Sequence, residues 1–479
     1  MRTPYFLLSS LLMLLTACNQ PPADGTMLTC GPAAPAAFII RHPAWAAHAS
    51  IYEVNIRQYT PEGTFRAFEA HLPRLQQTGV GILWLMPVQP IGQLKRKGTL
   101  GSQYSVQDYR AVNPEFGTMA DLRHLLDEAH KRGMHVILDW VANHTAWDSQ
   151  LAQQHPDWFT KDDQGQFVPP VADWQDVIDL DYSKPELRRY MTESMVFWVR
   201  EAGFDGFRCD VAGLVPTDFW NDTRQALEKV KPVFMLAEWD ELHDPPFLKK
   251  GEFNANTGLL EKAFDATYGL RLRYLLDSIG RGQQSTAAID RYLKVESARY
   301  PSTSYLMYFT TSHDINSWDG TEYERLGKNA LPQAVLTALL PGIPMVYSGQ
   351  EAAIKKRLRF FDKDTIPWNG YPLQDFYTKL LQLKKTHSAL RNGDSCSEFE
   401  ALPVSTSPDV YAFRRRQDEA AVVVAVNMGD KPHELTMRGL DSGTFRELFT
   451  GQILRLGETS KMLLTPHSYR VYELVPQKE

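Results

Sequence analysis

Residues 118–144 have the sequence TMADLRHLLDEAHKRGMHVILDWVANH, in which a helix pattern is followed by a strand pattern. Thr118 is a residue type that caps helices, and the leucines and alanine of 122–129 fall on one helical face. Gly133 is typical of a helix end, and the apolar run 135–138 is typical of a short buried strand. The stretch therefore predicts a helix that leads directly into a strand.

The same unit recurs along most of the chain, and 65–78 is a further predicted helix. Amphipathic helices that alternate with apolar strands favour parallel βαβ units. Eight such units over roughly 300 residues favour a closed (β/α)8 TIM barrel over an open sheet. The eight predicted strands are 51–55, 81–86, 135–138, 206–211, 233–237, 263–267, 306–310 and 343–347.

Changes in composition divide the 479 residues into segments. Arg2 precedes an apolar run that is too short to span a bilayer, which is typical of a signal peptide. A Pro/Ala-rich stretch follows and predicts a tether. Beyond the barrel, short strand patterns with turns between them predict a C-terminal antiparallel β domain. The predicted segments are a signal peptide at 1–17, a tether at 18–45, the barrel at 46–144 and 183–392, a small excursion domain at 145–182 after the third strand, and the β domain at 393–479, with strands at 410–413, 421–426, 433–437, 444–448 and 469–474.

The overall composition argues against several classes of function. Lys and Arg number 51 and Asp and Glu 57, so the net charge is −6 and nothing is basic enough to follow a phosphate backbone. We therefore expect no nucleic-acid partner. The four cysteines are dispersed and lack the spacing of metal ligands, so we expect neither a zinc site nor a disulfide framework.

Ionisable residues stand at the ends of four predicted strands, where barrels of this kind place catalytic groups. Arg208 and Asp210 are two residues apart on the fourth strand, so both side chains point into the barrel mouth. A guanidinium beside a carboxylate favours the ionised form that a nucleophile needs. Glu238 ends the neighbouring strand between apolar residues, and desolvation there favours the protonated form that a general acid needs.

Two carboxyls on adjacent strand ends can lie about 5–5.5 Å apart, the separation expected of a retaining glycosidase. The alternative is an internal ion-pair network that plugs the barrel. Such a network explains one isolated acid more easily than acids in register at several strand ends. We therefore expect a catalytic site.

Together these segments resemble the ordered motifs of the α-amylase family of glycoside hydrolases, over nearly the whole chain after the tether. Each short motif is moderately specific, and their common order and spacing make the resemblance strong. The matching segments are Tyr104 within 101–104, residues 113–117, Asp139 with Asn143 and His144, Arg208 with Asp210, Glu238, His313 with Asp314, and residues 342–351.

The resemblance implies roles for these residues. Asp210 would be the nucleophile and Glu238 the general acid/base, while Asp314 would hold and distort the sugar at the cleavage site. Four further residues would contact or line the site of that sugar: Tyr104 by stacking, His144 and His313 by hydrogen bonds, and Arg208 beside the nucleophile. Asp139 is interpreted as structural, as a partner of Arg208 or of loop amides.

The sequence departs from the family pattern directly after Asp210. Many members have a Lys-His pair there, which contacts the acceptor sugar and helps to form a calcium site, whereas residues 211–215 are VAGLV. Both features are therefore in doubt. Asn143 and Asp179 remain as candidate calcium ligands, although Asp179 could equally cap a loop. No organic cofactor is expected.

The resemblance predicts a retaining hydrolase that cleaves internal α-1,4-glucosidic bonds of starch-like glucans or maltooligosaccharides. The same residues would serve an α-glucan transglycosylase or an exo-acting maltooligosaccharide hydrolase, because these differ in how well water competes at the acceptor side. A non-catalytic surface glycan-binding lipoprotein is a more distant alternative, and the presence of all three acids argues against it. The C-terminal domain could pack on the barrel, bind glucan, or do both.

Residues 15–18, Leu-Thr-Ala-Cys, resemble the lipobox of bacterial lipoproteins. Cys18 would then carry lipid and anchor the exported protein to the cell envelope. The alternative is an ordinary secretory signal with a cysteine nearby by chance. Asn19 stands where an aspartate favours the inner membrane, so the resemblance points to the outer membrane, with the lipid as the expected membrane contact.

Overall fold

The computed structural model describes residues 27–28, 40–240, 255–393, 397–403 and 407–476. Within these residues, eight parallel strands pair in chain order, and the eighth pairs with the first to close a barrel. The predicted TIM barrel is therefore confirmed. Its strands are β1 (Ile51–Val54), β2 (Ile82–Leu85), β3 (His135–Trp140), β4 (Gly206–Cys209), β5 (Phe234–Ala237), β6 (Ala266–Tyr268), β7 (Tyr305–Tyr308) and β8 (Ile343–Tyr347).

Helices surround the barrel, and short turns of 3-10 or π-helix join several of them to the strands. In the described residues the α-helices are α1 (Ile56–Tyr59), α2 (Phe65–Glu69), α3 (Leu72–Thr78), α4 (Met119–Lys131), α5 (Gln150–Gln154), α6 (Pro185–Phe197), α7 (Thr217–Glu228), α8 (Asn256–Lys262), α9 (Leu270–Gly280), α10 (Ala288–Arg299), α11 (Glu322–Leu326), α12 (Ala330–Leu339) and α13 (Gln374–Thr386). The π-helical segments are Trp198–Ala202 and Ile315–Asp319, and the 3-10 segments are Ala44–His48, Pro156–Trp158, Ala212–Leu214, Gly327–Asn329, Gln350–Ala352 and Ser388–Leu390.

Helix α4 begins where the sequence predicts. The hydroxyl of Thr118 accepts a hydrogen bond from the Asp121 N–H at 3.2 Å, and the Asp121 carboxylate accepts one from the Thr118 N–H at 2.9 Å. This reciprocal capping box satisfies backbone donors that a helix start leaves unpaired. The leucines and alanine at positions 122, 125, 126 and 129 are buried against the core, so the predicted apolar face is the one that packs.

The predicted single helix 65–78 is wrong, because the chain forms α2 and α3 with Ala70 and His71 between them. Pro73 is in the first turn of α3. A proline lacks the N–H of a continuing helix, and its ring conflicts with the carbonyl four residues earlier. The first turn of a new helix tolerates both properties.

Between β3 and β4 the chain leaves the barrel. Strands His144–Ala146 and Val177–Asp179 pair antiparallel and bring His144 opposite Asp179. The excursion therefore starts from the residue that directly follows Asn143, at the mouth of the barrel.

The C-terminal strands form two antiparallel sheets. Their members are β9 (Glu398–Ala401), β10 (Val410–Gln417), β11 (Ala420–Asn427), β12 (His433–Thr436), β13 (Gly443–Glu447), β14 (Ile453–Leu456), β15 (Lys461–Leu464) and β16 (Ser468–Leu474). The larger sheet has the order Met27–Leu28, β9, β10, β11, β16, β13, β14, and the smaller sheet pairs β12 with β15.

Sequence reasoning missed β9, β14 and β15. Strand β14 is an edge strand and β15 has a single partner, and Ile453 and Leu463 are exposed. Their apolar residues therefore do not mark one buried face, which is the pattern that predicts a strand.

The C-terminal sheets pack on the barrel. Side chains of β10 and β11, such as Phe413 and Val424, belong to the same buried cluster as the barrel strands. Phe376 of α13 stacks on Phe449 with ring centroids 5.5 Å apart, and the Tyr411 hydroxyl donates to Asp290 of α10 at 2.5 Å. The C-terminal domain therefore packs on the barrel, and whether it also binds glucan stays a prediction.

In the part of the chain that the structure describes, no helix has the length and apolarity needed to cross a membrane. The predicted signal peptide and Cys18 lie outside the described residues.

Gly206 at the start of β4 gives a test of barrel closure. A Cβ added there would lie 1.8 Å from the Phe234 carbonyl oxygen of β5, and backbone atoms of a paired strand cannot move aside. We expect Gly206→Ala to lower the free energy of unfolding by on the order of 3 kcal/mol, measured by urea denaturation. Gly258→Ala is the matched control, because Gly258 is helical with no atom near its added Cβ, and alanine favours helices by roughly 0.5–1 kcal/mol. Equal stability of the two variants would contradict this account.

Candidate active site

One buried guanidinium organises the carboxyl groups at the barrel mouth. The side chain of Arg208 is 0% exposed, and its Nη1 lies 2.7 Å from Asp139 Oδ1 and 3.0 Å from Asp210 Oδ1. Its Nη2 lies 2.7 Å from Glu238 Oε1. These residues come from β3, β4 and β5 or their ends, and neighbouring parallel strands bring those ends together. A single cation therefore contacts two carboxyls that the sequence predicts to be catalytic, Asp210 and Glu238, and one that it predicts to be structural, Asp139.

Aromatic rings enclose this guanidinium. The ring centroids of Trp84, Tyr104 and Tyr268 lie 5.1, 5.6 and 5.7 Å from Arg208 Cζ. The Arg208 Nε also donates to the Tyr268 hydroxyl at 3.1 Å. Rings at this distance attract a cation and exclude water, so the enclosure strengthens every ion pair that Arg208 makes.

Asp139 pairs with the Arg208 guanidinium and is itself held by two hydrogen-bond donors. Its Oδ2 accepts hydrogen bonds from Trp84 Nε1 at 3.1 Å and from the Tyr104 hydroxyl at 2.9 Å. Burial raises the pKa of Asp139 to about 6, although Arg208 opposes the rise. Both oxygens are occupied by protein donors, which agrees with the interpretation of Asp139 as structural.

Asp210 lies at the end of β4 with Oδ2 at 3.9 Å from His144 Nε2. The sequence predicts that Arg208 holds Asp210 ionised. Burial instead raises the pKa of Asp210 well above its ordinary value, the negative charge of Glu238 adds to the rise, and Arg208 limits it. This environment therefore favours the protonated form of Asp210 more than water does.

The segment after Asp210 is a tight turn that holds Glu238. Val211 has φ 36° and ψ 49°, a left-handed conformation that β-branched residues rarely adopt. Its N–H donates to Glu238 Oε2 at 2.9 Å, and the Ala212 N–H donates to the Glu238 carbonyl at 3.0 Å. A Cβ on Gly213 would lie 2.1 Å from the Trp239 ring. The residues that depart from the family pattern thus fix Glu238 through the backbone, at the expense of local strain.

His313 connects Asp314 to the interior of the barrel. Its Nε2 lies 2.9 Å from the Tyr104 hydroxyl and 3.0 Å from Asp314 Oδ2, and its Nδ1 makes a short hydrogen bond with Glu53 Oε1. The rings of His313 and Tyr104 are stacked with centroids 5.6 Å apart. Desolvation lowers the pKa of His313, but the charges of Asp314 and Glu53 outweigh it and raise this pKa well above its ordinary value. The imidazole is therefore a cation at neutral pH.

His144 has the opposite protonation state. Burial lowers its pKa to about 3, so the ring is neutral at neutral pH. The amide nitrogen of Asn143 lies 3.2 Å from its Nδ1, which assigns the ring proton to Nε2, the nitrogen that faces Asp210. The mouth therefore contains one neutral and one cationic histidine.

Asp314 faces the solvent side of the site. Its side chain is 43% exposed, whereas that of Asp210 is 10% exposed. Desolvation raises the pKa of Asp314, but the charge of His313 outweighs it, so the pKa of Asp314 lies below its ordinary value. Asp314 is thus an ionised carboxylate that a ligand in the mouth can reach.

A cavity of about 210 Å³ adjoins Glu238 and Asp314. Trp318 and Tyr274 line this cavity, and Trp318 is 55% exposed. An exposed indole beside ionisable groups is a surface on which a sugar ring can stack.

Sequence reasoning named strand ends that the structure brings together at the barrel mouth, and it missed several neighbouring residues. It did not identify Glu53, Tyr268 or Trp318. Glu53 had a recognisable signal, because it is an acid within the otherwise apolar strand β1. Tyr268 and Trp318 had none, because nothing in their local sequence separates them from aromatic residues of the core.

The candidate calcium ligands have protein partners. Asp179 Oδ2 accepts a hydrogen bond from the Thr160 hydroxyl at 2.5 Å, and the Asn143 amide contacts His144. Among the described residues, no group of three His, Cys, Asp or Glu side chains is arranged to hold a metal ion, and calcium takes six to eight oxygen ligands. These contacts do not assemble such a shell, so calcium binding stays a prediction.

Residues 44–371 match the family model described as the catalytic domain of α-amylases. The α-amylase MalA of Haloarcula japonica is 26% identical over 418 residues, which cover 84% of this chain and 58% of MalA. A cyclomaltodextrin glucanotransferase of Geobacillus stearothermophilus is 23% identical over 443 residues, which cover 81% of this chain and 58% of that protein. The chain thus spans little more than half the length of these two relatives.

Solved structures agree with the family match. An α-amylase from Lactobacillus plantarum superposes with a TM-score of 0.80 and 30% identity, over 90% of this chain and 100% of that chain. A structure described as a noncanonic maltogenic α-amylase, AmyB from Thermotoga neapolitana, superposes with a TM-score of 0.79 and 29% identity over the same shares.

Removal of the central cation tests the carboxyl cluster. In Arg208→Met, Asp139, Asp210 and Glu238 lose their shared counter-ion, so we expect the free energy of unfolding to fall by about 3–5 kcal/mol near pH 8. The folded protein then binds more protons than the unfolded chain, as the raised pKa values of Asp139 and Asp210 already indicate. Because stability falls with pH in that case, we expect a smaller loss near pH 5.

Urea denaturation at both pH values measures these losses. The matched control is Arg446→Met, which removes an exposed arginine paired with Glu473 at 2.9 Å. We expect that change to stay within about 0.5 kcal/mol at either pH. A loss for Arg208→Met that does not depend on pH would show that packing, rather than charge, explains the cluster.

Proposed function

The chain belongs to the α-amylase family of glycoside hydrolases, and from this premise we propose that it cleaves internal α-1,4-glucosidic bonds of starch-like glucans or maltooligosaccharides with retention of anomeric configuration. The observation that carries the proposal is the pair Asp210 and Glu238, held by one Arg208 guanidinium at the ends of adjacent strands. A guanidinium is small, so both carboxyls lie close to one reacting centre. Closely spaced carboxyls are typical of retaining rather than inverting glycosidases.

In the proposed reaction Asp210 attacks the anomeric carbon and Glu238 protonates the departing glycosidic oxygen. A covalent glycosyl-enzyme forms, Glu238 then removes a proton from water, and the water releases the sugar from Asp210. Substrate binding replaces water around the cluster. Attack requires the ionised form of Asp210, and protonation of the departing oxygen requires the acid form of Glu238.

The sugar at the cleavage site would contact groups from several strand ends. The cationic His313 and the exposed carboxylate of Asp314 are suited to bind vicinal hydroxyls as donor and acceptor. The neutral His144 presents Nε2–H beside Asp210, and Tyr104 presents a ring that already stacks on His313. Each of these groups is fixed by a protein partner before substrate arrives, which lowers the entropic cost of orienting the sugar.

A second candidate is an α-glucan transglycosylase or an exo-acting maltooligosaccharide hydrolase. It is favoured by the turn at 211–215, which presents backbone and apolar side chains where many family members have a Lys-His pair. An apolar acceptor side could bind a sugar or exclude water. How well an acceptor sugar competes with water there sets whether the glycosyl-enzyme is transferred or hydrolysed. A relative described as a cyclomaltodextrin glucanotransferase fits this alternative.

We further propose that the protein is exported and anchored through lipid on Cys18 to the bacterial envelope, with its glucan substrate as the expected partner. The support is the Leu-Thr-Ala-Cys sequence after the apolar run. The proline- and alanine-rich residues that follow Cys18 would separate the barrel from the membrane surface.

Two isosteric variants test the catalytic assignment. We expect Glu238→Gln and Asp210→Asn each to lower kcat on soluble starch at least 10²–10⁴-fold, because each loses a proton carrier or a nucleophile. Reducing ends report hydrolysis, and proton NMR of early products reports the anomer. The wild type should release α-anomeric maltooligosaccharides.

Glu434→Gln is the control, because Glu434 is an exposed acid of the C-terminal domain paired with Lys461. It should retain wild-type activity. Reshuffled chain lengths without new reducing ends would instead favour the transglycosylase. Undiminished activity of Glu238→Gln would contradict the assignment itself.

The anchor has a separate test. In a bacterial host we expect wild-type protein to incorporate labelled palmitate and sediment with outer-membrane fractions. Cys18→Ala should lose the label, and the enzyme should leave the membrane fraction, because Cys18 is the residue that would carry the lipid anchor. Label retained by Cys18→Ala would show that the lipid, if any, is elsewhere.

A further inference from the structure

Glu53 is a buried acid that the proposed reaction does not use directly. It lies in β1 between Tyr52 and Val54, and it is fully buried. Its Oε1 makes a short hydrogen bond with His313 Nδ1 and lies 3.4 Å from the His313 backbone N–H. Ser348, which follows β8, donates its N–H to the Glu53 carbonyl at 3.2 Å. The carboxyl group is therefore held by His313 through Oε1, while the Glu53 backbone is held by the residue that follows β8.

Fold stability alone does not account for this residue. Within the described residues, Glu53 Oε2 has no hydrogen-bond partner. A buried carboxyl oxygen without a donor carries an uncompensated desolvation penalty, and the other residues of β1 are apolar or aromatic. A side chain that destabilises the strand and contacts a site histidine with its other oxygen indicates a functional constraint.

Several charged or titratable groups face His313. Glu53 approaches from β1 on the Nδ1 side, and Tyr104 and Asp314 approach from the Nε2 side. Behind them, Asp139 accepts from the Tyr104 hydroxyl and pairs with Arg208. The imidazole thus joins the interior of β1 to the exposed carboxylate of Asp314.

We propose that Glu53 is a positioning residue, which holds His313 in one orientation and keeps Nε2 a hydrogen-bond donor toward Asp314 and the bound sugar. Because Glu53 occupies Nδ1, the ring cannot turn, and both nitrogens carry protons when the ring is charged. Tyr104 can then accept from His313 and donate to Asp139. The inference rests on the proposed function, since the sugar at this place is the one that the glycosidic reaction requires.

The sign of the pH dependence follows from the contacts. The charges of Asp314 and Glu53 raise the pKa of His313, so the donor form is present below that raised pKa and is lost as pH rises through it. Replacing Glu53 by an uncharged residue removes one of the two charges. The alkaline limb of the activity profile should therefore move to lower pH.

The first experiment compares Glu53→Gln with the wild type across pH 4–10 on soluble starch. We expect kcat to fall about 10–100-fold, as for other residues that orient a group in an active site, with a smaller change in KM. We also expect the alkaline limb to shift at least one pH unit lower. Glu53→Asp retains the charge, so it should retain the wild-type limb even where kcat is reduced.

The matched control is Glu322→Gln. Glu322 is a second buried acid, which accepts from the Thr310 hydroxyl at 2.5 Å and from Gln350 Nε2 at 3.0 Å. A merely structural effect of placing glutamine in the barrel would lower the amount of folded enzyme in both variants. It would not move the pH profile in either.

A second measurement is independent of catalysis. Proton–nitrogen NMR with labelled histidine, assigned with His313→Asn, follows the His313 ring in the wild type and in Glu53→Gln. We expect the wild-type ring to stay protonated well above neutral pH and the variant ring to titrate lower. A wild-type His313 that titrates near 6.5 would overturn the proposal, as would unchanged titration in Glu53→Gln. Absence of glucan hydrolysis by the wild type, with the expected titration, would overturn the proposed function alone.

Discussion

The buried Arg208 guanidinium is the constraint on which the site depends. Removing a guanidinium from water has an effective cost of several kcal/mol, and a buried cation persists only when paired groups surround it. The barrel supplies these from three adjacent strand ends as Asp139, Asp210 and Glu238, and it excludes water with aromatic rings. The same arrangement brings together two carboxyls that would otherwise repel each other. The contacts that balance the charge of Arg208 therefore also hold Asp210 and Glu238 close together.

Environment, rather than residue type, differentiates the groups around this centre. His144 is neutral because burial is uncompensated, whereas His313 is cationic because Glu53 and Asp314 flank it. Asp139 is enclosed and bonded on both oxygens, while Asp314 is exposed at the mouth. Burial and neighbouring charges thus give chemically similar side chains different protonation tendencies and different exposure within one site.

Local backbone distortion occurs directly after Asp210 and directly after Asp314. Val211 adopts a left-handed conformation directly after Asp210, and a π-helical segment, Ile315–Asp319, directly follows Asp314. Strained residues and π-helical turns are frequent at functional sites, where they direct particular donors or side chains. Here the strain directs the Val211 N–H to Glu238. Proteins described as an α-amylase and as a cyclomaltodextrin glucanotransferase both match this chain in sequence, and loops on a common fold are where activities commonly differ.

The sequence by itself predicted the barrel, because eight apolar strands that alternate with amphipathic helices favour that closed arrangement over an open sheet. It also identified the acids and histidines at the strand ends, since polar residues that end apolar strands are conspicuous. It did not predict the break at Pro73, the three strands at or near sheet edges, or the partners Tyr268 and Trp318, because their local patterns are ordinary. Only the tertiary structure decided that Glu53 contacts His313, 260 residues away, and that Asp210 retains a raised pKa beside a cation. Both results depend on distances and desolvation that arise only when the barrel closes.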